Sequence, residues 1–180
     1  MTIYFLVYIP SFAHSVLGAA PTIAYSTALV SGATLFVAAP LAGMIADRIG
    51  ALRHGLIAAA LLIVSAYPIF AAMVSGRNEI SILLGQFALS IGAALYVGAL
   101  PAILAGLFDT RNRSLGVAIS YNVAVMTGGG FAQMIFVLLL EWSGSVVSPS
   151  YYVVFAGVVS LCALLICAQM AKVDRSQNYR

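Results

Sequence analysis

Six stretches of apolar residues follow one another down this chain, each near the roughly 20 residues that an α-helix needs to cross about 30 Å of hydrocarbon. They fall at about 3–20, 23–45, 55–74, 81–107, 115–140 and 151–171 of 180 residues. In lipid every backbone donor and acceptor must be satisfied inside the protein, which leaves helices as the form for segments of this length. The expected fold is therefore all-α: a polytopic membrane protein whose six-helix bundle takes up residues 1–180, with 172–180 as a short tail. Composition agrees. Only 7% of residues are charged and 63% are hydrophobic, against about a quarter charged in a soluble domain, too little charge to cover a surface facing water. The connections are short, so consecutive helices should run antiparallel and no soluble domain fits between them.

The net charge of +3 and pI near 9.0 do not call for a nucleic-acid partner, because the basic residues are scattered singly between apolar segments and read as topology signals. Arg48 and Arg53 follow the second segment, Arg111 and Arg113 the fourth, and Lys172, Arg175 and Arg180 the sixth, while Arg77 alone lies on the opposite side. Such an alternation places both termini and the basic loops in the cytoplasm of a protein integral to the cell (inner) membrane. Cys162 and Cys167 lie inside the last apolar segment with neither disulfide nor metal-site character. No metal or cofactor is expected. The opening Met1-Thr-Ile-Tyr-Phe lacks the basic start of a cleavable signal and runs into a segment containing Pro10, read here as a spanning helix.

Embedded polar groups concentrate in segments 1, 4 and 5, where they should turn inward or line a cavity. Tyr4, Tyr8, Ser11 and Ser15 share one face of segment 1, with His14 beside it. Tyr4 also suits an interfacial belt, whereas Tyr8 and Ser11 lie deeper. Segment 4 carries Gln86 and Tyr96 among Gly85, Gly92 and Gly98, with a kink expected at Pro101. In segment 5, Gly116, Ser120, Ala124, Gly128 and Ala132 recur every fourth residue as a small-residue seam, and Asn122, Met126, Gly129 and Gln133 occupy another side. The run Gly128-Gly129-Gly130 should soften this helix, as packing site or hinge. Segments 3 and 6 are plain Ala, Leu, Ile and Val and should face lipid.

The strongest motif is Gly43-Met-Ile-Ala-Asp47-Arg48-Ile-Gly50-Ala-Leu-Arg53. A carboxylate at a helix C-terminus meets the negative end of the dipole, so Asp47 calls for compensation from Arg48, Arg53 or another helix's N-terminus. Gly50 permits a tight turn and Gly43 a close helix approach. The run resembles the loop motif of the major facilitator superfamily, Gly-x3-Asp-Arg/Lys-x-Gly-x-Arg/Lys-Arg/Lys, with Leu52 in place of one basic residue. A narrower resemblance is to its metabolite:proton symporter family. Tyr4-Phe-Leu-Val-Tyr8-Ile-Pro10 looks like that family's seventh helix, and Leu107-Phe-Asp-Thr110-Arg111-Asn-Arg113 through Tyr121-Asn122 looks like its passage from the tenth to the eleventh, with Asp109 where the pattern has Pro. Pro149-Ser-Tyr151-Tyr152 is similar to the start of its last helix.

The resemblance implies the C-terminal bundle of a major facilitator fold, built from two inverted three-helix repeats, with the substrate site between this bundle and an N-terminal one. Segments 1 and 4 would line the cavity, 2 and 5 would meet the other bundle, and 3 and 6 would face lipid. It further implies one half of a proton-coupled symporter for a small polar or anionic metabolite. Tyr4, Tyr8, Ser11, Gln86, Tyr96 and Asn122 would bind substrate, and Gly43, Asp47, Arg48, Gly50, Arg53, Arg111 and Arg113 would form the cytoplasmic gate. No Asp or Glu lies within the six segments, and Glu141 sits at the outer end of segment 5. His14 alone could take a proton near neutral pH, against which stands a structural imidazole bonded to a backbone carbonyl. The proton site and any charge for an anionic substrate are thus expected on a partner: the missing six-helix half or a second copy. A non-transporting truncated or accessory membrane protein is the reading from another class. Enzymatic chemistry finds no support, since no Ser–His, Cys–His or paired-carboxylate arrangement lies within the segments.

Overall fold

The computed structural model describes residues 2–76, 78–108 and 110–177, the last seven by backbone alone. Arg77, Asp109 and Arg180, and the side chains of Lys172 and Arg175, which enter the charge count and the resemblance above, lie outside the described residues, as do 178–180 of the tail.

Every described element is helical: α1 (Thr2–Ser15), α2 (Pro21–Ile49), α3 (Ala51–Gly76), α4 (Glu79–Gly106), α5 (Arg113–Ala124), a π-helical turn (Val125–Gly129), α6 (Ala132–Ser143) and α7 (Pro149–Gln177). The stops have local causes. Gly18 takes φ +71° after α1, the Ala19 amide donates to Ala13 O at 2.9 Å, and Pro21 opens α2, where its missing N–H is no loss. Gly50, at φ +94°, is the whole connection between α2 and α3. Asn78 caps α4 by accepting the Ser81 amide at 2.7 Å. Gly144, at φ +62°, ends α6.

Among the described residues, five helices are long and apolar enough to cross a membrane: α2, α3, α4, α7 and the run Arg113–Ser143, which joins α5, the π turn and α6. The sixth expected span, 3–20, is the exception. Its helix α1 is described over 14 residues from Thr2, about 21 Å at 1.5 Å per residue. One face of it is enclosed. Phe5, Ile9, Phe12 and Ala13 of α1 are wholly buried, and Phe5 and Phe12 each meet the Phe70 ring of α3 at 5.1 Å between centroids. Phe136 of α6 closes the cluster against Phe5 at 5.5 Å.

A second core sets three small residues, Ala46, Ala59 and Ala99, against Ile103 and Leu164. Because lipid is as apolar as the side chains, helices gain mostly by coming close, which small residues permit. The lipid-facing expectation for segments 3 and 6 divides here. In α7 only 11% of the apolar window is buried, but α3 at 39% has the largest buried share of the five spans. Its bulky Phe70 and Met73 and its small Ala58, Ala59 and Ala66 pack against the rest of the bundle, a placement that lack of polarity could not reveal.

Candidate functional site

A half-open cavity of about 340 Å³ lies between the start of α1 and helices α3, α4, α5 and α7. Its walls are mostly Ala, Val and Leu, and its polar groups are Thr2, Tyr4, Tyr96, Ser120, Tyr121 and Ser160. None of its lining residues among those described is charged. Tyr121 also lines a shallow groove with Thr110, Arg113 and Ser114, so the cavity lies toward the end of the bundle that carries Arg113.

Each wall residue is placed by a local device. The Tyr4 ring rests on Gly129, where any Cβ would collide with it, so the glycine in the π turn is what admits the tyrosine. That turn replaces α-helical pairing by a Gly130 amide donating to Val125 O at 2.8 Å, and the Tyr152 hydroxyl of α7 donates to Gly128 O at 2.8 Å. Tyr96 is hydrogen-bonded through its hydroxyl to Ser160 of α7. Ser120 donates back to Gly116 O at 2.8 Å, within its own helix. Val97 also lines the cavity, and its carbonyl has no i+4 donor because Pro101 lacks an N–H.

Of the six substrate-binding residues expected from sequence, the structure brings Tyr4 and Tyr96 to this cavity. Tyr8 is 7% exposed and turned into the aromatic core, 5.0 Å from the Phe136 ring centroid. Gln86 is wholly buried and donates Nε2 to Leu6 O at 3.3 Å. Both placements have one cause: a polar group on a helix facing other helices takes its partners from the packing. Ser11 is exposed on the outer side of α1, where Ser15 donates to its carbonyl at 2.7 Å. Asn122 is exposed on α5 and donates Nδ2 to Ala118 O at 2.7 Å. His14, expected as proton site or structural imidazole, is exposed and pairs Nδ1 with Ala19 O at 3.0 Å, closing the turn into α2.

The residues expected to form the gate lie at loop ends. Asp47, Arg48, Gly50 and Arg53 are exposed where α2 turns into α3. Gly43, one turn earlier, faces Gly98 of α4, whose carbonyl would lie 3.4 Å from a Cβ at Gly43. Arg111 and Arg113 are exposed before and at the start of α5, and Arg113 donates Nε to Phe108 O at 3.3 Å.

Known proteins share this layout of sequence. A citrate-proton symporter of Klebsiella pneumoniae is 29% identical over 158 residues, 87% of this chain and 35% of that protein. An ectoine/proline transporter of Corynebacterium glutamicum is 30% identical over 133 residues, 74% of this chain and 26% of its own. The proline/betaine transporter of Escherichia coli K12 is 27% identical over 123 residues, 68% and 24%. The chain is homologous to metabolite:proton symporters of the major facilitator superfamily. This symporter homologue is thus a multi-pass membrane protein, and it spans about a third of the length of the relatives it matches, or less. No protein-family model matches the chain, and no solved structure matches it.

The sequence does not mark Ser160, Tyr121 and Ser120 as wall residues, nor His54 as a buried one. Ser160 sits alone in an apolar helix and has no periodic partner, so nothing local marks it. His54 is 5% exposed in the first turn of α3, its Nε2 2.9 Å from Leu95 O. Only the later-arriving α4 supplies that carbonyl. Ser120 did stand in the small-residue seam, and reading that seam as a cavity wall would have found it.

Proposed function

We propose that this chain provides the C-terminal six-helix bundle of a proton-coupled secondary transporter for a small polar or anionic metabolite, the other bundle coming from further polypeptide or a second copy. The observation that carries the reading is the likeness to proton symporters and osmolyte carriers across 68–87% of the chain. The relatives suggest citrate-like acids or proline- and betaine-like zwitterions as substrate class. Tyr4, Tyr96, Ser120 and Tyr121 offer hydroxyl hydrogen bonds in an uncharged cavity. Such a wall can orient a polar solute but cannot neutralise a carboxylate, so the cation for the substrate and the acid for the proton belong to the partner bundle. Ser11 and Asn122 lie on exposed faces that the partner would cover. Asp47, Arg48 and Arg53 act at the cytoplasmic gate, with both termini on the cytoplasmic side of the cell membrane, as the division of basic residues supports.

The test is uptake of labelled citrate, proline and betaine into proteoliposomes holding this chain with and without the first bundle of a homologous symporter, with and without an imposed pH gradient. Uptake that needs both bundles and follows the gradient is the expected result. Proton-coupled uptake by this chain in monomeric form overturns the half-carrier reading, and absence of uptake by a correctly inserted pair overturns transport.

A further inference from the structure

Pro10 stands in the middle of α1 and has no N–H, so the carbonyl of Leu6, one turn earlier, loses its helix donor. Leu6 is 2% exposed, and an unpaired carbonyl in such a place is strongly disfavoured. The donor comes from another helix. Gln86 of α4, itself wholly buried, gives its Nε2–H to Leu6 O at 3.3 Å. The other end of the same amide, Oε1, is buried without any partner. Ser90, one turn on, donates its hydroxyl to the Gln86 backbone carbonyl at 2.7 Å and does not serve Oε1.

We propose that Gln86 is a positioning residue: its amide replaces the hydrogen bond that Pro10 deletes and so fixes where α1 sits on α4. With α1 go Tyr4 at the cavity and Tyr8 and Phe12 in the aromatic core. Because Oε1 stays unsatisfied, the link is a catch, held by one hydrogen bond and strained by one missing one, that a shift of α1 along α4 can release. An apolar residue of similar size at position 86 would pack as well but would leave Leu6 O orphaned.

A double-mutant cycle in lipid nanodiscs tests this with four proteins: the unaltered chain, P10A, Q86L and P10A/Q86L. Q86L alone should melt several degrees lower. In the P10A background the same exchange should cost nothing or raise the melting temperature, because an alanine in place of Pro10 restores the N–H to Leu6 O and the unpaired Oε1 is gone. Equal losses in both backgrounds overturn the proposal. If Q86L does not fold, the double variant should fold; its failure where P10A folds is equally fatal. A 13C-labelled Leu6 carbonyl gives a readout independent of stability and of P10A: its amide I band should move to higher frequency in Q86L, and an unmoved band refutes the hydrogen bond. Neither measurement involves uptake, so the carrier reading and this one stand or fall separately.

Discussion

Two regions of this bundle are held in opposite ways. Helices α2 and α4 meet backbone to backbone: a Cβ on Gly98 would lie 2.5 Å from Ala39 O and 2.9 Å from Gly43 N. Helix α5 buries none of its 12 residues, and its continuation is secured by side chains, with Tyr4 lying over Gly129 and Tyr152 donating to Gly128 O. Yet it is α5 and α6 that carry the more regular series of small residues. In that series Gly116 is covered by the ring of Phe108 from the preceding loop, Ala124 is exposed, and only Gly128 and Ala132 are buried. A small-residue seam therefore permits close approach without requiring it; whether two backbones meet depends on the facing helix having a gap at the same height. The difference also separates a rigid part of the molecule from an adjustable one, since backbone contacts cannot yield as a side chain can.

The largest effect is expected at the tight contact. Gly98→Val places atoms where Ala39 O and Gly43 N already are, and neither can move without parting the helices; a loss of about 3 kcal/mol or more is expected, at or beyond the upper end for overpacking. Thermal unfolding in detergent micelles reads it, and a variant that melts like the unaltered chain would dissolve the contrast. Gly129→Ala sets a methyl against the tip of Tyr4, a ring that can swing toward the cavity, so the loss should be smaller, about 1–2 kcal/mol. Adding Tyr4→Ala to it should recover most of that loss, a non-additivity expected only if the two residues touch. The smallest change is Tyr152→Phe, which removes one interhelical hydrogen bond worth about 0.6 kcal/mol on average in membrane proteins. Amide exchange should quicken around Val125–Gly130 and stay unaltered in α4; equal quickening in both would show the two regions to be coupled rather than distinct.

Much of the fold was legible because hydropathy and turn chemistry act locally. Gly50 and Pro21 mark helix ends by backbone geometry that needs no neighbour. The run Gly128-Gly129-Gly130 falls at the end of a π turn. The site was legible only in part. Tyr4 and Tyr96 reach the cavity, but Tyr8, on the same predicted stripe as Tyr4, does not. The stripe is a face of one helix, and its two ends meet different neighbours: Tyr4 the open side of α5, Tyr8 the closed ring of Phe12 and Phe136.

What the sequence by itself determined is the succession of apolar segments, the polarity of the loops between them and the kinship with symporters, since these follow from residues close together in the chain or from their order along it. Only the tertiary structure decided that the first segment buries one face among the other helices, that α3 is the most buried of the five spans, and that Gln86 donates to a carbonyl 80 residues away. The reason is physical: in a medium without water a polar group takes whichever partner the opposing helix offers, and which helix opposes it is not written at the group itself.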